Sequence, residues 1–397
     1  MSDLLLRNVR PMGGAPSDIL IRAGRIAEIG PALSAPGLPV EDGGGAIAIP
    51  GLVEAHTHLD KTVMGMDWYE NAVGADLRAM IDNERAARAA LGLDPHRQSM
   101  RHALALIGAG TTHIRSHVDI DTDHGLDMLH GLLQTRAALA GQVDIEIVAF
   151  PQSGLLCRPG TVELLDAALR EGADLVGGLD PCGIDRDPKG HLDAIFALAD
   201  RHGKGIDIHL HEPGDLGAFS LDLILERTRA LGMQGRVAVS HAFCLGMPDW
   251  PRTEAMLAAL ADQDVAILTT GAPSREVPQV KRLVAAGLRM GAGCDGVRDT
   301  WNPWNRPDML DRARIIALRN NLRADADVDL ALSVCTTGGA VVMRVQGYGL
   351  TPGCTADLTL LAGRTLAEAV VDGAPRVLVL KSGRVTARHG QSLTKAP

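Results

Sequence analysis

Two histidines separated by a single residue, His56 and His58, end a short apolar stretch that begins at Gly51. In an extended strand successive side chains point to opposite faces, so these two imidazoles point the same way. Together they can bind one divalent metal ion through nitrogen–metal bonds of about 2.0–2.1 Å. Because such pairs also occur in strands that bind no metal, the spacing by itself does not define a metal site.

Three further residues of metal-binding type end other apolar stretches, namely His209, His241 and Asp295. Each has an ordinary explanation on its own, since a histidine at the end of a strand usually forms a hydrogen bond to a loop. Imidazoles and a carboxylate together, however, form a ligand set suited to a hard-to-borderline metal ion. Their recurrence at the same relative position in four separate stretches therefore predicts one metal site.

An alternation of strands and helices is expected to position these residues. The predicted strands are 51–57, 111–117, 143–150, 175–180, 205–210, 236–240, 265–270 and 288–294. The predicted helices include 160–171, 188–203, 218–232, 252–262, 277–286, 308–320 and 327–343. Eight strand–helix repeats predict an α/β protein whose parallel sheet closes into a (β/α)8 TIM barrel. In such a barrel the catalytic face lies at the carboxyl ends of the strands, where all five candidate ligands fall.

The two ends of the chain have a different pattern. Residues 1–48 and 346–397 contain short strands separated by Gly and Pro turns, with a tight hairpin at 381–385. Neither end has enough strands for a stable sheet. We therefore predict that the two ends combine into one small β-sandwich domain beside a catalytic barrel at 49–345.

The composition limits the classes of protein that the chain can belong to. Hydrophobic residues make up 46% of the chain and aromatic residues only 3%, which predicts a large aliphatic core. The formal net charge of −9 argues against a nucleic-acid partner. No stretch approaches the roughly 18 apolar residues of a membrane span, and no leader pattern begins the chain. We therefore expect a cytoplasmic protein. The six cysteines show no Cys-x-x-Cys spacing, and we expect no disulfide framework in a chain of this size.

A metal ion bound in this way can lower the pKa of a water molecule from 15.7 to about 7 and so supply hydroxide. Attack on an sp² carbon then needs groups that move protons. Asp295 is placed to bind the metal and to accept the proton of the water. Glu212, three residues after His209, is the candidate proton carrier. In isolation, an exposed loop carboxylate would be the simpler interpretation of Glu212.

These residues resemble those of the amidohydrolase superfamily, specifically its cytosine-deaminase-like branch, and the resemblance covers essentially the whole chain. It is carried by the segments 50–61, 149–152, 206–212, 240–241 and 295–301. The resemblance implies that one zinc or iron ion is held by four residues: His56, His58, His209 and Asp295.

The resemblance also implies roles around the metal. His241 would contact the metal-bound water or the substrate, and Glu212 would shuttle protons. Gln152 would form a hydrogen bond to the substrate ring, and Trp301 would line the pocket. Members with two metal ions need a carboxylated lysine, usually on the fourth strand, and the segment 174–180 has none. We therefore expect one divalent metal ion, Zn²⁺ or Fe²⁺.

One position departs from the pattern of the branch. Cytosine deaminases carry a second Asp directly after the metal-binding one, and here that position is Gly296, which removes a charged acceptor and is expected to leave more room. The segments 240–244 and 297–299 are also similar to N-isopropylammelide hydrolases, which release an alkylamine from a triazine ring. Arg298 could contact an anionic substrate group or pair with a neighbouring carboxylate such as Asp299.

Together these observations predict a metal-dependent hydrolytic deaminase. Its small-molecule substrate would be an amino-substituted nitrogen heterocycle such as cytosine, isocytosine or an aminotriazine, and it would release ammonia or an alkylamine. Two alternatives stay open: a cyclic amide or imide hydrolase of the same superfamily, and a metal-dependent binding protein without turnover. We also expect a homo-oligomer. His113, His117 and Asp119 are expected to pack or to support other residues through hydrogen bonds rather than to bind metal.

Overall fold

Two eight-stranded sheets form the framework of the computed structural model, which describes residues 3–273 and 275–395. Strands β1–β4 are Leu4–Pro11, Ser17–Arg22, Arg25–Gly30 and Val40–Pro50. Strands β5–β12 are Leu52–Thr57, Thr111–Asp119, Asp144–Phe150, Leu175–Leu179, Gly205–His209, Val237–Ser240, Ala266–Thr269 and Met290–Ala292. Strands β13–β16 are Leu358–Leu361, Arg376–Lys381, Arg384–Arg388 and Gln391–Ser392.

Helices follow most of the strands of the second sheet. Helices α1–α6 are Leu77–Leu91, Pro95–Gly108, Asp127–Ala138, Thr161–Glu171, Pro188–His202 and Gly214–Ala230. Helices α7–α12 are Trp250–Asp262, Val280–Ala285, Met309–Arg319, Asp325–Val334, Thr337–Val342 and Leu366–Val371. A short 3-10 helix spans Phe243–Gly246. None of the helices in the described part of the chain has the length and apolar character that a membrane span requires.

Strands β5–β12 form a nearly closed parallel (β/α)8 barrel, in which each strand pairs with its neighbours in chain order. An isolated parallel bridge between Thr57 and Asp295 joins the two edges of the sheet. All eight predicted strands are confirmed, with ends that differ by a few residues. The barrel strands are buried along nearly their whole length because helices cover the outside of the sheet and side chains fill the inside.

The other sheet contains strands from both ends of the chain, in the order β16-β15-β14-β13-β4-β1-β2-β3. β4 joins the two ends, since it pairs with β1 on one side and with β13 on the other. The strands form one continuous sheet around a shared apolar core that includes Leu6, Ile19, Leu360 and Leu380. The predicted contribution of both termini is confirmed, and the domain boundaries stay a prediction.

The predicted helix at 327–343 is wrong in one respect, because the chain forms two helices there, α10 and α11. The carbonyl of Cys335, between them, accepts a hydrogen bond of 2.9 Å from the backbone N–H of Val53 at the start of the barrel. A Cβ at Gly338 would lie 2.2 Å from the carbonyl oxygen of Met290. The break therefore lets α11 approach the barrel strands closely, at a position where only glycine fits.

Candidate active site

The four predicted metal ligands meet at the carboxyl end of the barrel. Nε2 of His58 lies 3.4 Å from Nε2 of His209 and 3.4 Å from Oδ1 of Asp295. The same carboxylate oxygen lies 3.7 Å from Nε2 of His56. Two nitrogen ligands about 2.1 Å from a tetrahedral metal ion are themselves roughly 3.4 Å apart. The spacing of these side chains therefore fits one metal ion.

The protonation of these groups also fits a metal site. Burial lowers the pKa of His58 to about 4, with a further contribution from the charge of Lys61, and burial lowers the pKa of His209 well below its usual value. Burial would raise the pKa of Asp295, but its contacts with Nε2 of His56 and of His58 outweigh it and hold that pKa well below the usual range. Neutral imidazoles and an ionised carboxylate are the forms that bind metal.

Buried nitrogen atoms without partners point to the same conclusion. Among the described residues, Nε2 of His56 and both ring nitrogens of His241 are buried and have no hydrogen-bond partner. A buried polar atom without a partner costs free energy, so a bound ion or its water would satisfy these atoms. Ligand atoms of His56, His241 and Asp295 lie within 4.8 Å of one another, as do those of His56, His58 and His209. His241 therefore lies beside the predicted ligands, and its role there stays a prediction.

His241 and Asp295 share an uncommon backbone conformation. Their φ angles are 69° and 64°, in the left-handed region that residues other than glycine rarely adopt. Such a conformation costs of the order of 1–3 kcal/mol and is typical of functional sites. The backbone N–H of His241 donates to the carbonyl oxygen of Leu268 at 2.9 Å, and the backbone N–H of Asp295 donates to that of His56 at 2.9 Å. These bonds hold the two residues in place.

A cavity of about 50 Å³ opens beside these ligands. Three predicted substrate contacts, Gln152, Gly296 and Trp301, line it. Arg298 is not among the described residues that line the cavity, and its guanidinium carbon lies 5.4 Å from the ring centre of Trp68. The further lining residues are His58, Lys61, His209, His211, Asp295, Asp299 and Asn302.

Lys61 is a site residue to which the sequence analysis assigned no role. Its ammonium lies 2.6 Å from Oε1 of Gln152, 3.3 Å from Glu84 and 3.7 Å from Asp119. Burial would lower the pKa of Lys61, but the carboxylates of Asp119 and Glu84 outweigh it and raise that pKa. The cavity therefore contains a cation that stays charged, 5.2 Å from the ring centre of Trp301. The only sequence signal was its position three residues after His58.

Glu212 directly follows the cavity residue His211 in the chain but is not among the described residues that line the cavity. Oε1 of Glu212 accepts hydrogen bonds from the backbone N–H groups of Cys182 and Gly183, at 2.8 and 2.7 Å, and the hydroxyl of Ser220 donates to Oε2. Burial raises the pKa of Glu212. The neighbouring His211, which the sequence analysis did not single out, lines the cavity. Its Nδ1 lies 2.7 Å from Asp180, whose charge outweighs burial and raises the pKa of His211.

The expectation of extra room at Gly296 is wrong. A Cβ at this position would lie 1.8 Å from Oδ2 of Asp299, so the carboxylate of Asp299 already fills the space. Backbone N–H groups of Trp301 and Asn302 hold Oδ1 of Asp299 at 2.9 and 3.1 Å. Burial raises the pKa of Asp299 to about 6. The cavity therefore keeps an acceptor near the metal ligands, supplied by another residue.

Comparison with known proteins assigns the chain to a family. The model of the amidohydrolase family matches residues 40–387, and the chain belongs to that family. It is therefore a hydrolase of the amidohydrolase superfamily, as the sequence predicted.

Three relatives indicate the range of chemistry among similar proteins. The N-isopropylammelide isopropylaminohydrolase from Burkholderia multivorans ATCC 17616 has a crystal structure with a TM-score of 0.96 and 53% identity, over 99% of this chain and 100% of that one. The N-isopropylammelide isopropyl amidohydrolase of Pseudomonas sp. (strain ADP) is 30% identical over 350 residues, 87% of each chain. The 5-methylcytosine deaminase from Klebsiella pneumoniae, liganded with 5-fluorocytosine, has a TM-score of 0.85 and 25% identity, over 98% of this chain and 99% of that one.

Proposed function

We propose that this protein is a metal-dependent aminohydrolase that removes an alkylamine or ammonia from an amino-substituted triazine or pyrimidine ring. The observation that carries the proposal is the single cavity that joins the histidine–aspartate ligand set to the charged Lys61–Gln152 pair. The similarity to two N-isopropylammelide hydrolases favours a ring with two carbonyl oxygens and one alkylamino group.

The metal would be one Zn²⁺ or Fe²⁺ ion held by His56, His58, His209 and Asp295. When bound, such an ion supplies a nucleophile by lowering the pKa of water from 15.7 to about 7. The side chain of Asp295 is 33% exposed, so it can accept a proton from the cavity while it contacts the histidines. The buried imidazole of His241 lies on the same side and would orient the attacking water or the substrate.

The leaving amine needs a proton, which we assign to Glu212. The hydroxyl of Ser220 and two backbone N–H groups hold this carboxyl in place, one residue along the chain from His211, which lines the cavity. Its raised pKa favours a protonated form, which a general acid requires. His211 lines the cavity directly and could supply the proton instead, so both residues belong in the test.

The ring would be recognised by groups of complementary polarity. The ammonium of Lys61 can donate to a carbonyl oxygen of the ring and stabilise negative charge on it. The carboxylate of Asp299 can accept from a ring N–H, and the indole of Trp301 provides an apolar wall. A site that pairs the polar edge of a ring strongly rejects rings that leave those groups unpaired. This arrangement favours a dioxotriazine over a ring with fewer carbonyl groups.

The test is a substrate panel assayed on the zinc- and iron-loaded protein. The panel contains an N-alkyl dioxotriazine, its unsubstituted amino analogue, cytosine, isocytosine and a cyclic imide. We expect release of amine with the ring intact, fastest for the N-alkyl dioxotriazine. A ring-opened carboxylate from the cyclic imide without amine release would favour the cyclic amide hydrolase instead. Binding of the rings without any product would favour a binding protein.

A further inference from the structure

Three buried polar side chains form a continuous line from the metal ligand His56 into the barrel core. Oγ of Ser240, on β10, lies 2.8 Å from Nδ1 of His56. The same hydroxyl donates to Oδ1 of Asp207, on β9, at 2.7 Å. Arg115, on β6, donates to the other oxygen of Asp207 at 2.9 Å. None of these four side chains belongs to a residue more than 3% exposed.

The period of the strand explains why Asp207 lies beneath the metal site. Asp207 and His209 are two residues apart on β9, so their side chains point to the same face, towards the barrel interior. In the register of the sheet, Ser240 on β10 is paired with His209. Asp207 and Ser240, which support His56, therefore lie on the strand that ends at His209 and on the strand that His241 directly follows.

The direction of the hydrogen bonds determines which ring nitrogen of His56 carries the proton. A carboxylate oxygen accepts, and the two oxygens of Asp207 accept from Arg115 at 2.9 Å and from Ser240 at 2.7 Å. The single proton of Ser240 is therefore donated to Asp207, which leaves the hydroxyl oxygen to accept from Nδ1–H of His56. A neutral imidazole protonated at Nδ1 has its lone pair on Nε2. This atom lies 3.7 Å from Oδ1 of Asp295 and has no hydrogen-bond partner among the described residues.

The same residues could be mistaken for a second metal site, since ligand atoms of His56, His117 and Asp207 also lie within 4.8 Å of one another. Both oxygens of Asp207 already accept hydrogen bonds, from Ser240 and from Arg115, and Nδ1 of His56 is engaged by Ser240. An ion at this position would compete with at least one of these contacts, since either oxygen of Asp207 already accepts a hydrogen bond. The geometry therefore indicates a supporting network rather than a ligand set.

We propose that Asp207 is a positioning residue that acts through Ser240 to hold His56 in the Nδ1-protonated tautomer, with Nε2 directed at the metal. Arg115 neutralises Asp207, so that the network does not leave an unpaired charge in the core. The inference rests on the proposed metal site and specifies how one ligand of that site is oriented. Hydrogen-bond partners of this kind are typically worth 10–100-fold in metal affinity.

The first test is Ser240→Ala, with Ser99→Ala as the matched control. Ser99 is also fully buried, and its hydroxyl forms hydrogen bonds to Pro95 and Thr135, away from the metal site. Zinc affinity is measured by competition with a chromogenic chelator, and Tm is measured on the metal-free proteins. We expect Ser240→Ala to bind zinc about 10–100-fold more weakly and Ser99→Ala to bind it as the wild type does. Equal zinc affinity in all three proteins would overturn the proposal.

The second test is Asp207→Asn, which reverses the hydrogen bonds. The amide nitrogen of the new side chain can donate to the hydroxyl of Ser240. That hydroxyl then donates its own proton to Nδ1 of His56. The imidazole proton is therefore placed on Nε2, which faces the metal. We expect a larger loss of zinc affinity than in Ser240→Ala. An Asp207→Asn protein that folds and binds zinc as tightly as the wild type would contradict the proposal, and if it does not fold, Ser240→Ala decides.

Because zinc affinity is measured without substrate, the outcome is independent of the proposed reaction. A wild-type protein that releases no amine, combined with weak zinc binding in Ser240→Ala, would refute the proposed function and support the positioning role. A wild-type protein that binds neither zinc nor iron would overturn the positioning role together with the metal site.

Discussion

The backbone N–H of Asp295 donates to the carbonyl oxygen of His56 at 2.9 Å, at the point where the barrel closes. His56 is on β5 and Asp295 follows β12, and these strands are the two edges of the barrel sheet. Within residues 3–273 and 275–395, one isolated bridge is the only strand pairing across this seam. A metal ion held by His56, His58 and Asp295 would therefore join the two edges of the sheet through side chains as well.

Removal of the metal is expected to destabilise the whole barrel because of this arrangement. A ligand that binds only the folded state stabilises it by about 4.1 kcal/mol at a thousand times its Kd. We expect Tm to fall on treatment with a chelator and to recover when zinc is added back. Asp295→Asn should lose metal and turnover, and its Tm should no longer respond to zinc. A wild-type Tm that is the same with and without chelator would contradict the role of the metal at the seam.

Glu212→Gln is expected to keep the metal and to lose most of the activity. The amide keeps the size of the side chain but cannot give up a proton to the leaving amine. General acid–base assistance is typically worth 10²–10⁴-fold, which is the loss of kcat expected here. Zinc content, measured by mass spectrometry, should not change.

His211→Asn serves as the comparison for Glu212→Gln. If Glu212 carries the proton, the loss of kcat in His211→Asn should be clearly smaller, and the pH profile should keep its shape. If His211→Asn shows the larger loss instead, the proton carrier is His211 and the assignment of Glu212 is wrong.

Gly296→Asp is expected to disrupt the site rather than to create a cytosine deaminase. The new side chain would meet the carboxylate of Asp299 and force it out of its hydrogen bonds to Trp301 and Asn302. Overpacking of this kind typically costs 1–3 kcal/mol. We expect a lower Tm and a large loss of kcat/KM.

The double variant Gly296→Asp with Asp299→Gly tests the steric explanation. It removes the collision and keeps one carboxylate in the cavity, so it should recover part of the Tm and of the activity. If the single variant is as stable as the wild type, the space at residue 296 is open and the explanation fails.

The positions of the candidate metal ligands could be predicted from the sequence because they depend on a short-range pattern. An apolar strand that ends in His56 and His58 has its side-chain directions set by the period of the strand, and the repetition of strand and helix places every strand end on one face. His209, His241 and Asp295 lie near the first pair for the same reason. The family comparison confirmed the class of enzyme that this pattern predicted.

Features that depend on contacts between distant parts of the chain could not be predicted in this way. Lys61 lies near Glu84 on α1 and Asp119 at the end of β6 although the three residues are far apart in the chain, and no local pattern records that proximity. The carboxylate of Asp299 fills the space at Gly296 because of the course of one loop. The homo-oligomer and the cytoplasmic location stay predictions.

Lys381 is expected to connect the terminal sheet to the barrel. Its ammonium lies 2.7 Å from Asp357 of the terminal sheet, 2.7 Å from Asp144 at the start of β7, and 3.2 Å from Nε2 of His113 on β6. Lys381→Met would leave the buried carboxylate of Asp357 without its cation. Removal of one partner of a buried ion pair typically costs 3–5 kcal/mol, so we expect a loss of this size in the free energy of unfolding measured with urea.

Asp144→Asn is the control for Lys381→Met, and its effect should depend on pH. Burial would raise the pKa of Asp144, but the hydrogen bond from His113 and the charge of Lys381 outweigh it and lower that pKa below the ordinary value of 3.8. The folded state therefore binds fewer protons here than the unfolded state, so the pair stabilises the protein above pH 3.8 and this contribution is lost as the pH falls. The side chain of Asp144 is 64% exposed, so the loss at pH 7 should be about 1 kcal/mol or less and should shrink in acid. A loss in Asp144→Asn as large as that in Lys381→Met would show that Asp144, rather than Asp357, is the main partner of the ammonium.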